Sequence, residues 1–301
     1  MDVYTKFDLH IHSYASSKTK SGDQSIVAYS TIDNIAVLIE KLKENSVNVV
    51  AISDHNIFDK ALYLALKQQE REVNCINKVL PGVEIDLIIH DRNVHVVCIF
   101  DDSLANHEEI IDKYFETKPS YTIDELGALL RKIGLSVVLI AHQKCDYASE
   151  RPQKTSLSSA GKNEFLRFIG SEFFDALEIQ NTKVEGILKS RFYDDHIENV
   201  NLVVGSDCHE WSCYPSHHNG ITPNDLLFMK ALPTFQGLVM AMTDNSRIYS
   251  DIEPRKENIL PSIQISQDGK AISLPLSSKI NVIIGDNSVG KSTIIKYLCS
   301  E

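Results

Sequence analysis

Residues 7–13 have the sequence FDLHIHS, a short run in which apolar residues alternate with Asp8, His10 and His12. The run predicts a first β-strand over Lys6–His10. Side chains two positions apart in a strand lie on the same side, as two ligands of one metal ion require. Isolated HxH pairs are, however, usually ordinary surface or core residues, so this pair alone leaves metal binding open.

Working outward from this strand, the first 250 residues alternate short β-branched runs with helical stretches. This alternation predicts an α/β fold with a parallel sheet, and seven strands favour a closed or nearly closed, TIM-like barrel. The predicted strands are Lys6–His10, Val47–Ile52, Lys78–Val83, Val94–Phe100, Ser136–Ile140, Ala176–Ile179 and Leu202–Gly205.

Local signals predict two of the helices and one long loop. Ile35, Leu38, Ile39 and Leu42 recur at helical spacing and form one apolar stripe. A second helix begins with a capping box at Thr122–Glu125 and ends at Gly134. The polar stretch Gln143–Gly161 is expected to be a flexible or substrate-side loop.

Composition limits the functions that are open to the chain. Its 301 residues are 43% hydrophobic and carry a net charge of −11, with 30 Lys and Arg against 41 Asp and Glu. A general nucleic-acid coat is not encoded, although bound divalent cations would invert the charge locally. The six cysteines form no CxxC pair. We therefore expect a cytoplasmic protein with no disulfide framework, no thiolate zinc site and no membrane span.

Histidines and acids lie in or beside the predicted strands, mostly just past their C-terminal ends. In a parallel barrel those ends meet on one face, where enzymes of that architecture keep their active sites. Each residue alone has an ordinary explanation, such as a capping acid or a core histidine. Taken together they favour a shared site, because so many histidines would not reach strand ends by accident. The residues are His10, His12, His55, Glu84, His95, His142, Asp207 and His209.

The motifs around these residues resemble the PHP (polymerase and histidinol phosphatase) superfamily. They occur in the family's order over about the first 210 residues, and as a set they are specific. They are FDLHIHS (7–13), AISDHN (51–56), PGVEI (81–85), HVVCIF (95–100), AHQ (141–143) and GSDCHE (205–210).

The resemblance implies a distorted seven-stranded barrel that binds two or three divalent ions, such as Mn, Zn or Fe, and hydrolyses phosphoesters. His10, His12, Glu84 and Asp207 would hold the first ion. Glu84 would bridge to a second ion, and a hydroxide between the two ions would supply the nucleophile. By the same resemblance, the second ion would also be held by His95 and His142, and a third by His55 and His209.

One position departs from the family pattern. Similar domains have a further Asp or His ligand about six residues after the HxH pair, and that register falls on Lys18. The third ion site is therefore expected to be damaged. Two interpretations stay open: the Lys18 ammonium replaces the missing ion and joins Glu84 and Asp207 in catalysis, or it is a solvated loop lysine.

A second signal lies near the C-terminus. After a predicted linker, 251–261, a hairpin is expected around Gln267–Lys270, followed by a strand over Ile280–Ile284. The loop GDNSVGKS (285–292) then matches the GxxxxGKS pattern, and a helix is expected to begin with Thr293. Domains of 1–250 and 262–301 are therefore predicted.

The loop residues indicate phosphate binding. Backbone amides from Gly285 to Gly290 could surround phosphates, Lys291 could reach the β and γ phosphates, and Ser292, followed by Thr293, could ligate magnesium. The segment resembles ATPase heads of the ABC and SMC type. The whole chain resembles the N-terminal part of a TrlF-like PHP–ATPase fusion, whose complete ATPase domain would bind Mg-ATP.

Only ten residues follow Lys291, so we expect this ATPase domain to be incomplete and inactive by itself. Three functions remain open. The first is a metal-dependent phosphoesterase that the ATPase gates, with nuclease activity on nucleic acid as one form of it. The second is a weakly active barrel that serves as a regulatory or scaffold module, which Lys18 favours. The third is a small-molecule phosphatase. The sequence leaves the oligomeric state open.

Overall fold

The computed structural model describes most of the chain in two compact units. One unit comprises Tyr4–Ile252, and the other comprises Met1–Val3 with Glu253–Glu301. The described residues are 4–18, 28–71, 76–89, 92–115, 120–147, 154–156, 166, 173–179, 182–195, 197, 200–216, 221–250, 262–267, 270–275, 282–286 and 289–298.

The larger unit is built on one sheet. Along its main path the strands follow the order β11-β10-β1-β2-β3-β4-β6-β8-β9, with β5 paired to β3 and β7 paired to β6. The strands are β1 (Thr5–Ile11), β2 (Val49–Ile52), β3 (Lys78–Ile89), β4 (Arg92–Phe100), β5 (Tyr121–Thr122), β6 (Val137–Tyr147), β7 (Lys154–Ser156), β8 (Ala176–Glu178), β9 (Asn201–Val203), β10 (Phe228–Met229) and β11 (Ile248–Tyr249).

The sheet is mixed, which corrects the prediction of parallel strands throughout. The pairs β1–β2, β2–β3, β6–β8 and β8–β9 are parallel. By contrast, β3–β4 and β4–β6 are antiparallel. The reason lies in the connection between Ile89 and Arg92, which is too short for the crossover that a parallel neighbour needs.

The segment that follows β9 returns to β1. After β9 the chain runs beside β1, where Ile11 and Cys208 form a parallel bridge. The His12 amide donates to the Cys208 carbonyl at 2.9 Å, and the Asp207 amide donates to the His10 carbonyl at 2.8 Å. The fold is therefore mixed α/β, with a nearly closed, barrel-like sheet.

Helices cover the outside of this sheet. In α1, Leu38 and Leu42 are fully buried, and the predicted apolar stripe is confirmed. In α4, the Thr122–Glu125 capping box and the left-handed Gly134 at the C-terminus are confirmed. The helices of this unit are α1 (Ile35–Glu44), α2 (Lys60–Lys67), α3 (His107–Tyr114), α4 (Ile123–Ile133), α5 (Thr182–Asp194) and α6 (Phe235–Thr243).

Two strands are longer than predicted. β3 continues past Val83 to Ile89, and β6 continues past Ile140 to Tyr147. Both extensions pair with the antiparallel strand β4, which supplies their backbone partners. Glu84 and His142 therefore lie within strands instead of after them. The predicted loop Gln143–Gly161 begins as strand and includes β7, and the remainder of it lies outside the described residues.

The smaller unit contains a hairpin and a helix. β12 (Ser262–Gln267) pairs in antiparallel register with β13 (Lys270–Pro275), so the predicted hairpin is confirmed. Helix α7 spans Lys291–Leu298 and begins two residues before the predicted start. Residues 282–284, the described part of the predicted strand Ile280–Ile284, pair with no strand within the described residues, and the side chain of Ile284 is 90% exposed. A strand needs a neighbour to bond its backbone.

Of the helices in the described ranges, none combines the length and apolar character that crossing a membrane requires.

Candidate metal centre

The barrel brings the eight predicted ligand residues into one group, here called the histidine–carboxylate cluster. Donor atoms from these residues approach one another within 4.8 Å in four sets, each able to hold an ion. The sets are His10 with His12 and Asp207; His10 with Glu84 and His142; His55 with Glu84 and His95; and His12 with His55 and His209.

His10, in β1, and His12, just after the end of β1, are two of the candidate ligands. His10 and His12 are fully buried, and their Nε2 atoms lie 3.0 Å apart. Asp207 Oδ1 lies 3.2 Å from His12 Nε2 and 3.8 Å from His10 Nε2. Asp207 itself has a φ of 49°, a left-handed conformation that is unusual for a residue other than glycine and is typically found at functional sites.

Glu84 lies at the centre of the cluster and is fully buried in β3. Its Oε1 atom is 2.8 Å from His95 Nδ1, 3.6 Å from His10 Nε2 and 3.7 Å from His142 Nε2. Its Oε2 atom is 3.5 Å from His12 Nε2 and contacts His55 Nδ1. One carboxylate thus faces imidazoles from five different positions, which is the placement expected of a bridging ligand.

His55 is more central than the family pattern implies. The resemblance assigned it with His209 to a third ion, and the two rings do lie near each other, with centroids 5.9 Å apart. His55 also stacks on His12 at 4.4 Å and contacts Glu84 directly. The side chain of Lys18, by contrast, lies outside the described residues, so its proposed role stays a prediction.

Burial and mutual contact set the charges of the cluster. Burial by itself would raise the pKa of Glu84, but His55, His95 and His10 hold that pKa well below its usual range. Asp207 behaves in the same way, because burial is outweighed by hydrogen bonds from His12 and His209 and its pKa falls well below normal. Both carboxylates are therefore ionised near neutral pH.

The histidines divide into two types. Burial, together with the neighbouring His55 and His209, lowers the pKa of His12 well below normal, so its ring is neutral and keeps a lone pair. Burial also opposes charge on His10, but Glu178 and Glu84 raise its pKa well above normal. The buried carboxylates thus favour a positive charge on or beside His10, and a cation bound at its Nε2 atom would supply that charge in place of a second ring proton.

The donor set fits divalent transition metals. Neutral imidazole nitrogens combined with carboxylate oxygens suit zinc, manganese or iron(II). Glu84 Oε2 is a buried oxygen that accepts no hydrogen bond of good geometry. Such an atom is costly unless something else satisfies it, and a cation would do so. The imidazole and carboxylate donors and the environment of Glu84 Oε2 thus both fit a bound cation.

Sequence reasoning missed the acids that surround the cluster. His12 Nδ1 lies 3.1 Å from Ser16 Oγ, which donates at 2.7 Å to the buried Asp54. His95 Nε2 lies 3.1 Å from Asp86 Oδ1. These contacts orient the imidazole rings from outside, as outer carboxylates commonly do at metal sites. The sequence does not show which ring each acid serves. Asp54 acts on His12 through Ser16, and Asp86 contacts a histidine of the neighbouring strand.

Glu178 was also missed, although a signal was present. It lies at the C-terminal end of β8, where the rule that selected His55 and Asp207 would have selected it too. Both of its oxygens are within 3.0 Å of His10 Nδ1. Burial would raise the pKa of Glu178, but His10 and His142 lower it to about 2.

The GDNSVGKS loop is a separate feature of the smaller unit. Lys291 Nζ donates to the Gly285 carbonyl at 2.7 Å and to the Asp286 carbonyl at 2.5 Å. Gly290 has a φ of 94°, which favours glycine. Ser292 and Thr293, the other predicted phosphate-loop residues, are exposed at the start of α7. The lysine thus binds the carbonyls of its own loop.

No protein-family model and no curated protein matches the chain. Among solved structures, the chain is similar to a protein from Bifidobacterium adolescentis described as a metal-dependent phosphoesterase, with 15% identity, a TM-score of 0.43, and coverage of 70% of this chain and 90% of that one. It is also similar to an amidohydrolase from Chromobacterium violaceum with bound sulfate and no metal, at 13% identity and a TM-score of 0.43, covering 82% and 99%.

A third match is PsfC from Pseudomonas syringae, at 16% identity and a TM-score of 0.41, covering 70% of this chain and 78% of that one. At these TM-scores and identities, none of the three matches establishes the fold or the function of this chain.

Proposed function

We propose that the chain is a metal-dependent phosphoesterase whose active site is the histidine–carboxylate cluster. The observation that carries the proposal is the central Glu84, a buried, ionised carboxylate with imidazoles around both of its oxygens. A carboxylate in that position is suited to joining two cations. Paired cations favour an anionic substrate such as a phosphoester.

The proposal assigns the residues of the cluster to two ions. His10, His12 and Asp207, whose donor atoms form one set, would hold one ion. His95 and His142 would hold a second, and Glu84, whose Oε1 faces both of these rings, would hold both ions. When bound, the ions would lower the pKa of a water molecule towards neutrality and offset the charge on the phosphoryl oxygens.

Asp207 and His209 are more exposed than Glu84 at the centre of the cluster. The Asp207 side chain is 23% exposed, against none for Glu84, and its Oδ1 lies 3.1 Å from His209 Nε2. In this proposal, a proton on His209 Nε2 is hydrogen-bonded to Asp207 Oδ1 and would pass from His209 to the substrate. We propose that this pair protonates the leaving oxygen, since general acids act over hydrogen-bond distances.

Lys18 has a separate place in the proposal. It occupies the register where similar domains have another ligand, so its ammonium is proposed to interact with a phosphoryl oxygen. Lys18→Ala should then lower turnover without changing the metal content. Wild-type turnover in that variant would show that the lysine is a bystander.

The presence of Lys18 where similar domains have a metal ligand also motivates a second candidate function. In it, the barrel binds metal but is catalytically weak and serves as a regulatory or scaffold module. A small-molecule phosphatase is a further alternative. Nuclease activity, and coupling to an ATPase that binds Mg-ATP through Gly285, Gly290, Lys291, Ser292 and Thr293, are also proposals. The ATPase coupling is supported by the GxxxxGKS pattern, and nuclease activity by the resemblance of this segment to ATPase heads.

A direct comparison of substrates tests these alternatives. Metal-free protein would be loaded with Mn²⁺, Zn²⁺ or Fe²⁺ and assayed with bis-p-nitrophenyl phosphate, p-nitrophenyl phosphate and single-stranded DNA. The proposal expects metal-dependent turnover of at least one phosphoester, abolished by a chelator and restored by metal. Tight metal binding without turnover of any of them would favour the scaffold function instead.

A further inference from the structure

We propose that Glu178 is a positioning residue that fixes the ring of His10 so that its Nε2 atom faces the metal ions. This inference rests on the metal centre of the proposed function and assigns a role outside the ligand set. Glu178 ends β8, and its side chain is only 5% exposed. Its carboxylate is therefore committed to partners within the protein.

The two nitrogens of His10 face in different directions. Nδ1 lies 3.0 Å from Glu178 Oε1 and 2.9 Å from Oε2. Nε2 lies 3.0 Å from His12 Nε2, 3.6 Å from Glu84 Oε1 and 3.8 Å from Asp207 Oδ1. A proton on Nδ1 is thus donated to Glu178, which leaves the lone pair on Nε2 for a metal ion.

The packing around this pair leaves little freedom. A Cβ atom placed on Gly205 would lie 2.5 Å from Glu178 Oε2 and 2.6 Å from the Cβ of His10. Such distances are closer than nonbonded carbon atoms approach, so only glycine fits beside the pair. The segment after β9 therefore packs directly against both Glu178 and His10, and their contact lies in the protein interior.

Glu178 also contacts His142, a proposed ligand of the second ion. Its Oε1 atom lies 3.2 Å from His142 Nε2, which is itself 3.1 Å from His10 Nδ1. Because Glu84 faces the Nε2 edge of His10 and Glu178 faces the Nδ1 edge, the two carboxylates hold this imidazole from opposite edges. Loss of Glu178 should consequently weaken ion binding without removing a ligand.

Three variants test this role. Glu178→Gln keeps the size and one acceptor oxygen but loses the charge, whereas Glu178→Ala removes the contact. Asp175→Asn is the matched control, because Asp175 precedes the same strand and accepts a hydrogen bond from the Leu139 amide at 2.8 Å, outside the cluster. Circular dichroism would confirm that each variant folds before the metal measurements are made.

The measurement is titration of metal-free protein with Co²⁺, followed by absorption spectroscopy and elemental analysis. Affinity should fall about tenfold in Glu178→Gln and about a hundredfold in Glu178→Ala. The Co²⁺ spectrum should change, while the number of ions at saturation stays at the wild-type value. Asp175→Asn should show wild-type affinity and spectrum even if its melting temperature falls.

Two results would overturn the positioning role. One is unchanged affinity and spectrum in both Glu178 variants. The other is loss of one ion equivalent at saturation, which would make Glu178 a ligand. Neither result depends on turnover, so the inference can fail while the wild type hydrolyses phosphoesters. Equally, the wild type can bind Co²⁺ without hydrolysing any phosphoester, which contradicts only the proposed function.

Discussion

The histidine–carboxylate cluster and the GDNSVGKS loop both carry groups suited to phosphate chemistry, but they are assembled differently. In the cluster, Glu84 is buried among imidazoles that come from distant parts of the chain, and its Oε2 accepts no hydrogen bond of good geometry. In the loop, Lys291 is within six residues of both carbonyls that it contacts. The cluster is assembled from positions distant in the chain, whereas the loop supplies the partners of its own lysine.

The largest effect is expected from Glu84→Gln, which removes the charge at the centre of the cluster. Both ions should be lost together, and phosphoester turnover should fall by about a thousandfold, equivalent to about 4 kcal/mol. Steady-state assays and metal analysis would check this. Glu109→Gln is the control, because that exposed glutamate pairs only with surface Lys60 among the described contacts. Full metal content in Glu84→Gln would refute the bridging role.

His142→Ala should have the next largest effect. It removes one imidazole from the cluster, so turnover at matched metal occupancy should fall by about a hundredfold. His107→Gln is the control, because His107 is buried elsewhere and bonds to Tyr63 and the Leu104 carbonyl. That variant should lose stability but keep the rate of the folded enzyme. Equal rates in His142→Ala and wild type would show that hydrolysis occurs elsewhere.

A smaller effect, confined to stability, is expected from Asp102→Asn. Burial would raise the pKa of Asp102, but hydrogen bonds from Lys67 and Lys78 hold it below its usual value. The variant should be about 2 kcal/mol less stable near neutral pH and should turn over substrate normally. Because the native pKa is lowered, this stabilisation is present above the unfolded-state pKa and is lost as the pH falls through the folded value.

Urea unfolding of wild type and Asp102→Asn between neutral pH and about pH 3 would measure this. The stability difference should shrink at the acid end. A constant difference across that range would mean that the ion pairs of Asp102 contribute little. A changed rate of phosphoester turnover in Asp102→Asn would mean that a buried charge outside the histidine–carboxylate cluster also contributes to catalysis. The cluster would then no longer account for the activity by itself.

The smallest effect is expected from Lys291→Ala. All of the proposed metal ligands precede residue 210, and Lys291 binds carbonyls of its own loop. Without nucleotide, phosphoester turnover should therefore equal that of the wild type. Assays with and without Mg-ATP would check this. A large loss in the absence of nucleotide would show that the loop takes part in hydrolysis.

Local patterns in the sequence predicted the parts of the fold that depend on neighbours in the chain. The α1 stripe and the Thr122–Glu125 cap are examples, because their contacts span four residues or fewer. The antiparallel pairing of β3 with β4 was not predicted, since strand direction depends on a connection whose length was misjudged. The strand ends of β3 and β6 were placed too early because their partner is β4, which no local pattern reveals.

The candidate site shows the same division. Residue type and position at strand ends identified the eight members of the cluster, from His10 to His209. The outer acids Asp86 and Asp54 escaped, because Asp86 matters through its contact with His95 Nε2 and Asp54 through Ser16, which contacts His12. Glu178, which contacts His10, was overlooked although it lies at the end of β8. Those contacts join positions up to 168 residues apart, as for His10 and Glu178.

Counting the metal ions bound by the purified wild-type chain tests the central claim most directly. Protein stripped with a chelator, reloaded with Mn²⁺, Zn²⁺ or Fe²⁺ and freed of excess metal would be examined by elemental analysis. The geometry around Glu84 predicts about two tightly held ions per chain for at least one of these metals. A chain that retains none of them would contradict the assignment of the histidine–carboxylate cluster as a metal centre.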